Sequence, residues 1–208
     1  MRTLVTGKQM KAVDAHAITT IGIPSMVLME RAAFAVAREV KGILKEEAGR
    51  LAPGASVWSV CGTGNNGADG IAAARMLFLE GVSAGVVLIG QPEKGTEEFL
   101  QQLKIARNLG MEILSREQWE ELCSQGGMRC RVLIDAIFGV GLSRQVQGAY
   151  AECIRRINGL RQEGAVECVA AVDISSGVHS DTGQVMGEAV SADLTVTFGW
   201  EKRGTVLY

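Results

Sequence analysis

The 208-residue chain has only two histidines, His16 and His179, and five cysteines, none of them in a C-x-x-C pair. Neither histidine stands at ligand spacing from a cysteine, which excludes the usual zinc arrangements. The cysteines are Cys61, Cys123, Cys130, Cys153 and Cys168. An odd number without paired spacing argues against a disulfide framework. It implies free thiols, mostly in the core, of a protein kept in a reducing cytoplasm. Excess charge of either sign is also missing. Against 21 Lys plus Arg stand 23 Asp plus Glu, a net charge of −2, which speaks against non-specific nucleic-acid binding. No apolar run approaches the ~20 residues needed to span a bilayer. The first residues, "MRTLVTGKQMKAVDAHA", lack the apolar core of a signal peptide.

What is present is ordinary globular composition, 47% hydrophobic and 21% charged, in a length that suits one sizeable domain. The first forty-odd residues read as helical. Thr6 and Gln9 have the form of a capping box, and Gly22 with Pro24 breaks the pattern. A second helix starts near Ser25, with Leu28, Ala32, Val36, Val40 and Ile43 as its apolar face. Beyond it the rhythm changes to strands at 56–60, 84–90, 111–114, 131–138, 166–173 and 194–199. Helices at 69–80, 96–110, 116–124 and 148–162 alternate with them. Alternation of this kind implies βαβ units, a mostly parallel sheet and helices on both faces. The fold class is therefore α/β, one domain with a helical N-terminal extension.

Three polar, Gly-rich segments follow strands. In a parallel sheet all strand C-termini share one edge, and open α/β sheets bind ligands in the crevice there. The first segment, "CGTGNNGAD", holds Gly62, Gly64 and Gly67 as a G-x-G-x-x-G with Asn65, Asn66 and Asp69. Glycines of this pattern supply positive φ and close approach to a ligand, and the following helix offers free N–H groups. A conventional dinucleotide site also needs an acid ~20 positions on to hold a ribose hydroxyl. That region reads "VVLIGQ", which disfavours a hydride-transferring oxidoreductase. The second segment has Asp135 inside an apolar strand, then Gly139, Gly141, Ser143 and Arg144. A buried carboxylate needs a partner or a cation; capping a helix or pairing with a local Arg are the alternatives. The third has Asp173 at a strand end, then Ser175, Ser176 and Gly177. His179 and Asp181 belong to a turn, and His16 reads as structural or exposed.

"MKAVDAHAITTIGIPSMVLMERAA", "GTGNNGADG", "DAIFGVGLSRQVQG" and "VDISSGVHSDTGQVMGEAVSADLTVTFGWEKRG" together resemble the NAD(P)H-hydrate epimerase, or YjeF N-terminal domain, family, in order and over nearly the whole chain. The resemblance implies a Rossmann-like three-layer α/β/α sandwich. It implies an isomerase that interconverts the R and S forms of hydrated NADH and NADPH (NADHX and NADPHX), the S form then being repaired by an ADP- or ATP-dependent dehydratase. In many relatives that dehydratase follows on the same polypeptide, so residues 1–208 are either a complete single-domain protein or the first half of a bifunctional one. A homodimer through the N-terminal helices is a further expectation.

Carried residue by residue, the resemblance assigns Asn65, Asn66, Gly67, Ala68 and Asp69 to a first substrate loop. Gly139, Val140, Gly141, Leu142, Ser143, Arg144 and Gln145 form a second, and Asp173 touches the reacting end. Asn66, Asp135 and Ser176 are the implied ligands of a potassium ion, a cation that favours several oxygen ligands. Ala68, Val140, Gln145 and Ser175 depart from the family's usual residues without removing any side chain given a role. Epimerisation needs a proton donor for the departing hydroxyl and a base for the returning water. Asp173 is the expected acid/base, with Asp69 second. The competing expectation is a non-catalytic binding module of the same fold.

Overall fold

The structure, a computed structural model, describes residues 3–46 and 49–208. The N-terminal helix α1 (Gly7–His16) opens on a complete capping box: Gln9 N–H donates to Thr6 Oγ1 at 3.2 Å and Thr6 N–H to Gln9 Oε1 at 2.8 Å. Such a cap contributes about 1 kcal/mol. Asp181, far along the chain, accepts from Gly7 N–H at 2.6 Å and ties this helix end to the 179–183 turn. The helix continues as one π-turn, Ala17–Ile21, and stops at Gly22 with φ +84°.

Helix α2 (Ser25–Leu44) buries Met29, Ala33, Val36, Ala37, Val40 and Leu44. The apolar face expected from the sequence is shifted in its first turns. Leu28 and Ala32 line an open cleft there, because the N-terminal half of α2 stands beside the sheet edge.

Six parallel strands form the central sheet: β2 (Ser56–Cys61), β3 (Ser83–Leu88), β4 (Glu112–Ser115), β5 (Cys130–Ala136), β6 (Val166–Val172) and β7 (Leu194–Val196). Their order is β4-β3-β2-β5-β6-β7. The chain winds outward from β2 in one direction, then returns to β5 and winds outward in the other. The reversal between β2 and β5 is the topological switch point, where the connections leave the sheet on opposite sides and open a crevice.

Side-chain alternation sends Val57 and Cys61 of β2 to one face and Val60 to the other. The first face packs against α2, α3 (Asn65–Leu79) and α4 (Glu97–Asn108). The second packs against α5 (Arg116–Ser124) and α6 (Gly148–Gln162). Fully buried Phe99 and Trp119 sit in opposite layers of this α/β/α sandwich. The cysteines are free; Cys61, Cys130 and Cys153 are buried. Burial pushes the Cys61 thiol up to about 12, so it is a packing residue rather than a nucleophile.

Three features differ from the sequence expectation. Helix α3 begins at Asn65, not 69, because extended Gly64 serves as its N-cap and Ala68 N–H closes the first turn on Gly64 O at 3.0 Å. The last sheet strand is only three residues long. A second, two-stranded parallel sheet joins β1 (Leu4–Val5) to β8 (Glu201–Lys202), pairing Val5 with Lys202, and the short helix α7 (Arg203–Leu207) follows. Among the described residues no helix is long and apolar enough to cross a membrane.

Candidate functional site

A cleft of about 970 Å³ lies at the carboxyl edge of the sheet, over the switch point. The segments after β2, β5, β6 and β7 form its floor, and α1 and α2 form one wall. Three loops distant in sequence meet there because they follow strands that are neighbours in the sheet.

The three glycines of the first segment work by close approach, not by left-handed backbone. None of Gly62, Gly64 and Gly67 has positive φ. A Cβ on Gly67 would lie 1.7 Å from Gly62 O, and one on Gly62 would lie 2.3 Å from Ile137 O. The first turn of α3 is thereby drawn down onto the end of β2 and against the segment after β5. A Cβ on Gly139 would come within 2.9 Å of Asn66 Oδ1, so the second segment is pressed onto the Asn66 amide. Ala68 is helical and fully buried in the core, where its methyl is accommodated.

Behind this contact lies a fully buried carboxylate. Asp135 Oδ1 accepts from Ser176 Oγ at 2.6 Å and from Ile137 N–H at 3.4 Å, and Oδ2 accepts from Ser176 N–H at 2.8 Å. Ser176 Oγ in turn accepts from Phe138 N–H at 2.9 Å. No cationic side chain bonds to Asp135 among the described residues. Loss of solvent pushes its carboxyl up to about 6, against the opposing pull of the Ser176 hydrogen bonds. Asn66 Nδ2 is buried without an acceptor among the described residues. Rotating the amide by half a turn exchanges its nearly isosteric O and N and puts an oxygen lone pair in that position. The Asp135 carboxylate and the Ser176 hydroxyl, with the Asn66 amide, would offer only oxygen donors and a single negative charge. That chemistry fits a monovalent cation better than a divalent one.

One end of the cleft is built around Asp173, the only non-glycine residue with positive φ (+68°) among the described residues. Asp tolerates this conformation better than most side chains, at a cost of about 1–2 kcal/mol. Its Oδ1 accepts from Lys202 Nζ, from Phe198 N–H at 3.1 Å and from Thr197 Oγ1 at 3.3 Å. Lys202 is buried and its ammonium is fully engaged, donating also to Phe198 O at 2.8 Å and Thr197 Oγ1 at 3.1 Å. Asp173 is thus the carboxylate half of a buried ion pair, and its Oδ2 has no partner among the described residues.

Asp69, one turn into α3, is different. It keeps part of its surface open to the cleft, yet its carboxyl group is crowded by protein and has no hydrogen bond or ion pair among the described residues. Burial, then the Asp173 and Asp14 charges, push it well above the usual carboxylate range. Asp14, from α1, is raised by the same kind of burial and by Asp173, with Lys202 opposing.

The family described as YjeF-related protein N-terminus matches residues 25–204. The chain belongs to this family. It is 42% identical to the NAD(P)H-hydrate epimerase of Limosilactobacillus reuteri, over 97% of this chain and 86% of that protein. It is 39% identical to the bifunctional NAD(P)H-hydrate repair enzyme of Thermofilum pendens, over 96% of this chain and 36% of that longer protein. The crystal structure of yeast YNL200c superposes with a TM-score of 0.82 at 23% identity, covering 98% of this chain and 83% of that one, and so shares the fold.

On this YjeF-type scaffold the cleft gathers Asn65, Asn66, Asp69, Asp173 and the run Gly139, Val140, Gly141, Leu142, Ser143 and Arg144. Gly67 and Ala68 lie behind it in the packed interior. Gln145 turns away toward Gly187, and Asp135 with Ser176 forms a buried layer beneath. Sequence reasoning missed Lys202 and Asp14. The one available signal for Lys202 was the need of a strand-end aspartate for a counter-charge, combined with a lysine just beyond the neighbouring last strand. His179 sits in its turn, its Nδ1 accepting from Asp181 N–H at 3.3 Å.

Proposed function

We propose that this chain epimerises the R and S forms of hydrated NADH and NADPH, an isomerase step in repair of nicotinamide cofactors. The observation that carries the reading is the meeting of the α3 N-terminus with Asp69 and Asp173 in one cleft at the switch point, in a chain whose relatives bear the epimerase name. The first turn of α3 and residues 139–144 hold the dinucleotide, with backbone N–H groups and Arg144 toward its phosphates. Asp173 stands at the reacting carbon.

The chemistry is a hydroxyl leaving and a water returning. The ring nitrogen adjacent to the hydrated carbon supplies an electron pair, the C–O bond breaks, and an iminium forms. Water then adds to the opposite face. Asp173 moves protons in this exchange, and no hydride moves, so the absent ribose acid after β3 is no obstacle. Asn66, Asp135 and Ser176 would hold potassium, which would supply positive charge beneath the site and tie the segments after β2, β5 and β6 together. The S product is consumed by an ADP- or ATP-dependent dehydratase, on this or a separate polypeptide.

The test supplies purified R-NADHX, an S-specific dehydratase with its nucleotide, and this chain, with and without potassium, subtracting spontaneous interconversion. The expected result is a protein-dependent rate of R-to-S conversion. A folded sample with no rate above background overturns the reading and leaves a binding module of the same fold.

A further inference from the structure

The two carboxylates of the cleft are prepared in opposite ways. Asp173 has a dedicated cation, Lys202, whose donors are all used, and two further donors on the same oxygen. Asp69 has neither among the described residues. The other charged groups lining the same cleft are Lys11 and Asp14 of α1, Arg31 of α2, Glu98 of α4, Arg144 after β5, Asp173 after β6 and Lys202 of β8. None of them bonds to Asp69, and β2 and β3 bring it no charge. Two carboxyl groups in one site, one paired with a cation and hydrogen-bond donors and the other with neither, are the pattern of a base and an acid.

We propose that Asp69 is the proton donor of the epimerisation and that Asp173, positioned by Lys202, is the proton acceptor, the two serving opposite faces of the hydrated ring. This rests on the epimerase reading and divides the single acid/base role between two residues. Protonated Asp69 gives its proton to the departing hydroxyl. The C–O bond breaks, the nitrogen pair forms the C=N⁺ bond, and one water leaves. A second water attacks the other face while Asp173 takes its proton; the new C–O bond forms and the C=N⁺ electrons return to nitrogen. The cycle ends with the proton on Asp173 and Asp69 ionised. Transfer of that proton back to Asp69 through solvent in the open cleft restores the starting state. The reverse epimerisation starts from the other arrangement of the same proton. Lys202 is a positioning residue: it fixes the Asp173 carboxylate by Oδ1 and leaves Oδ2 for the water.

The experiment measures the pH dependence of kcat and KM for R-to-S conversion in the wild type, Asp69→Asn and Asp69→Glu. Asparagine has the shape of a neutral carboxyl group, so the fold is kept, and circular dichroism verifies it. Asp69→Asn is expected to lower kcat by about 10²-fold or more, to change KM little, and to abolish the alkaline fall of the rate. Asp69→Glu should restore that fall at reduced kcat. Wild-type kcat in Asp69→Asn overturns the proposal, and so does a lowered kcat with the alkaline fall unchanged. These outcomes are distinct from failure of the epimerase reading, in which the wild type itself shows no rate.

Discussion

Lys202 and Asp173, 29 residues apart, meet as a buried ion pair at the floor of the cleft, and the lysine is delivered by the strand that pairs with the first strand of the chain. Segments early and late in this sequence are thereby coupled to the site: Val5 pairs with Lys202, and Lys202 holds Asp173. The positive φ of Asp173 turns its carboxylate back toward the segment after β7, where Thr197 and Phe198 complete the cradle.

Removing one member of such a pair leaves a buried charge without compensation. Lys202→Met is expected to destabilise the protein by about 3–5 kcal/mol, measured by urea unfolding. Asp173→Asn keeps the backbone conformation, which asparagine also tolerates. The double variant should cost less than the sum of the singles, and a double-mutant cycle reads that coupling directly. Additive losses would show that the two side chains are not paired in solution.

The glycines of the first segment separate by geometry. Gly67→Ala forces a methyl into the Gly62 carbonyl, which a backbone contact at 1.7 Å cannot relieve without moving the helix. The expected loss is at least about 1–3 kcal/mol, together with loss of ligand binding. Gly64→Ala meets nothing within 4 Å and has ordinary backbone angles (φ −92°), so its stability should stay within about 1 kcal/mol of wild type. Equal effects in chemical denaturation would contradict the close approach as the reason for the pattern.

Much of this architecture is legible in the sequence because polar residues within or at the end of apolar runs stand out: Asp135 inside one run and Asp173 at the end of another mark the carboxyl edge of β5 and β6. The alternation of strands and helices gives the layers, and the capping box at Thr6 locates α1. The first turn of α3 is harder. Gly67 and two asparagines have poor helix propensity, and the cap at Gly64 together with the packing of Gly67 on Gly62 explains their helical conformation. Lys202 and Asp14 are hard to read for another reason. A lysine after a strand and an aspartate on an amphipathic helix look like solvated surface, and only tertiary structure brings them against Asp173. The β1–β8 pair has two residues per strand, too few for any periodicity.

Asp69 also makes a prediction about stability. Its carboxyl is raised in the folded state, so its contribution is intact below the unfolded value of ~3.9 and is lost as pH rises through the folded value. Asp69→Asn removes this penalty. The variant should match the wild type near pH 4 and become the more stable of the two at neutral and mildly alkaline pH, by thermal or urea melts. A wild type that gains stability over Asp69→Asn as pH rises would mean that Asp69 finds a cation in solution.

The buried Asp135 carboxylate and Ser176 hydroxyl, taken with Asn66 as cation ligands, predict a stabilising ion. If potassium binds the folded state alone, stability rises with its concentration, by about 2.7 kcal/mol at a hundred times Kd. Melting curves in potassium chloride and in choline chloride at equal ionic strength separate that effect from screening. The wild type should melt higher in potassium. Asp135→Asn removes the only charge of the donor set and should lose the difference, and Ser176→Ala, which also removes a hydroxyl hydrogen bond to Asp135 at 2.6 Å, should weaken it. A potassium-dependent shift of wild-type size in Asp135→Asn would place the ion elsewhere, because among the described residues no other carboxylate bonds to Ser176 at the junction of the segments that follow β5 and β6.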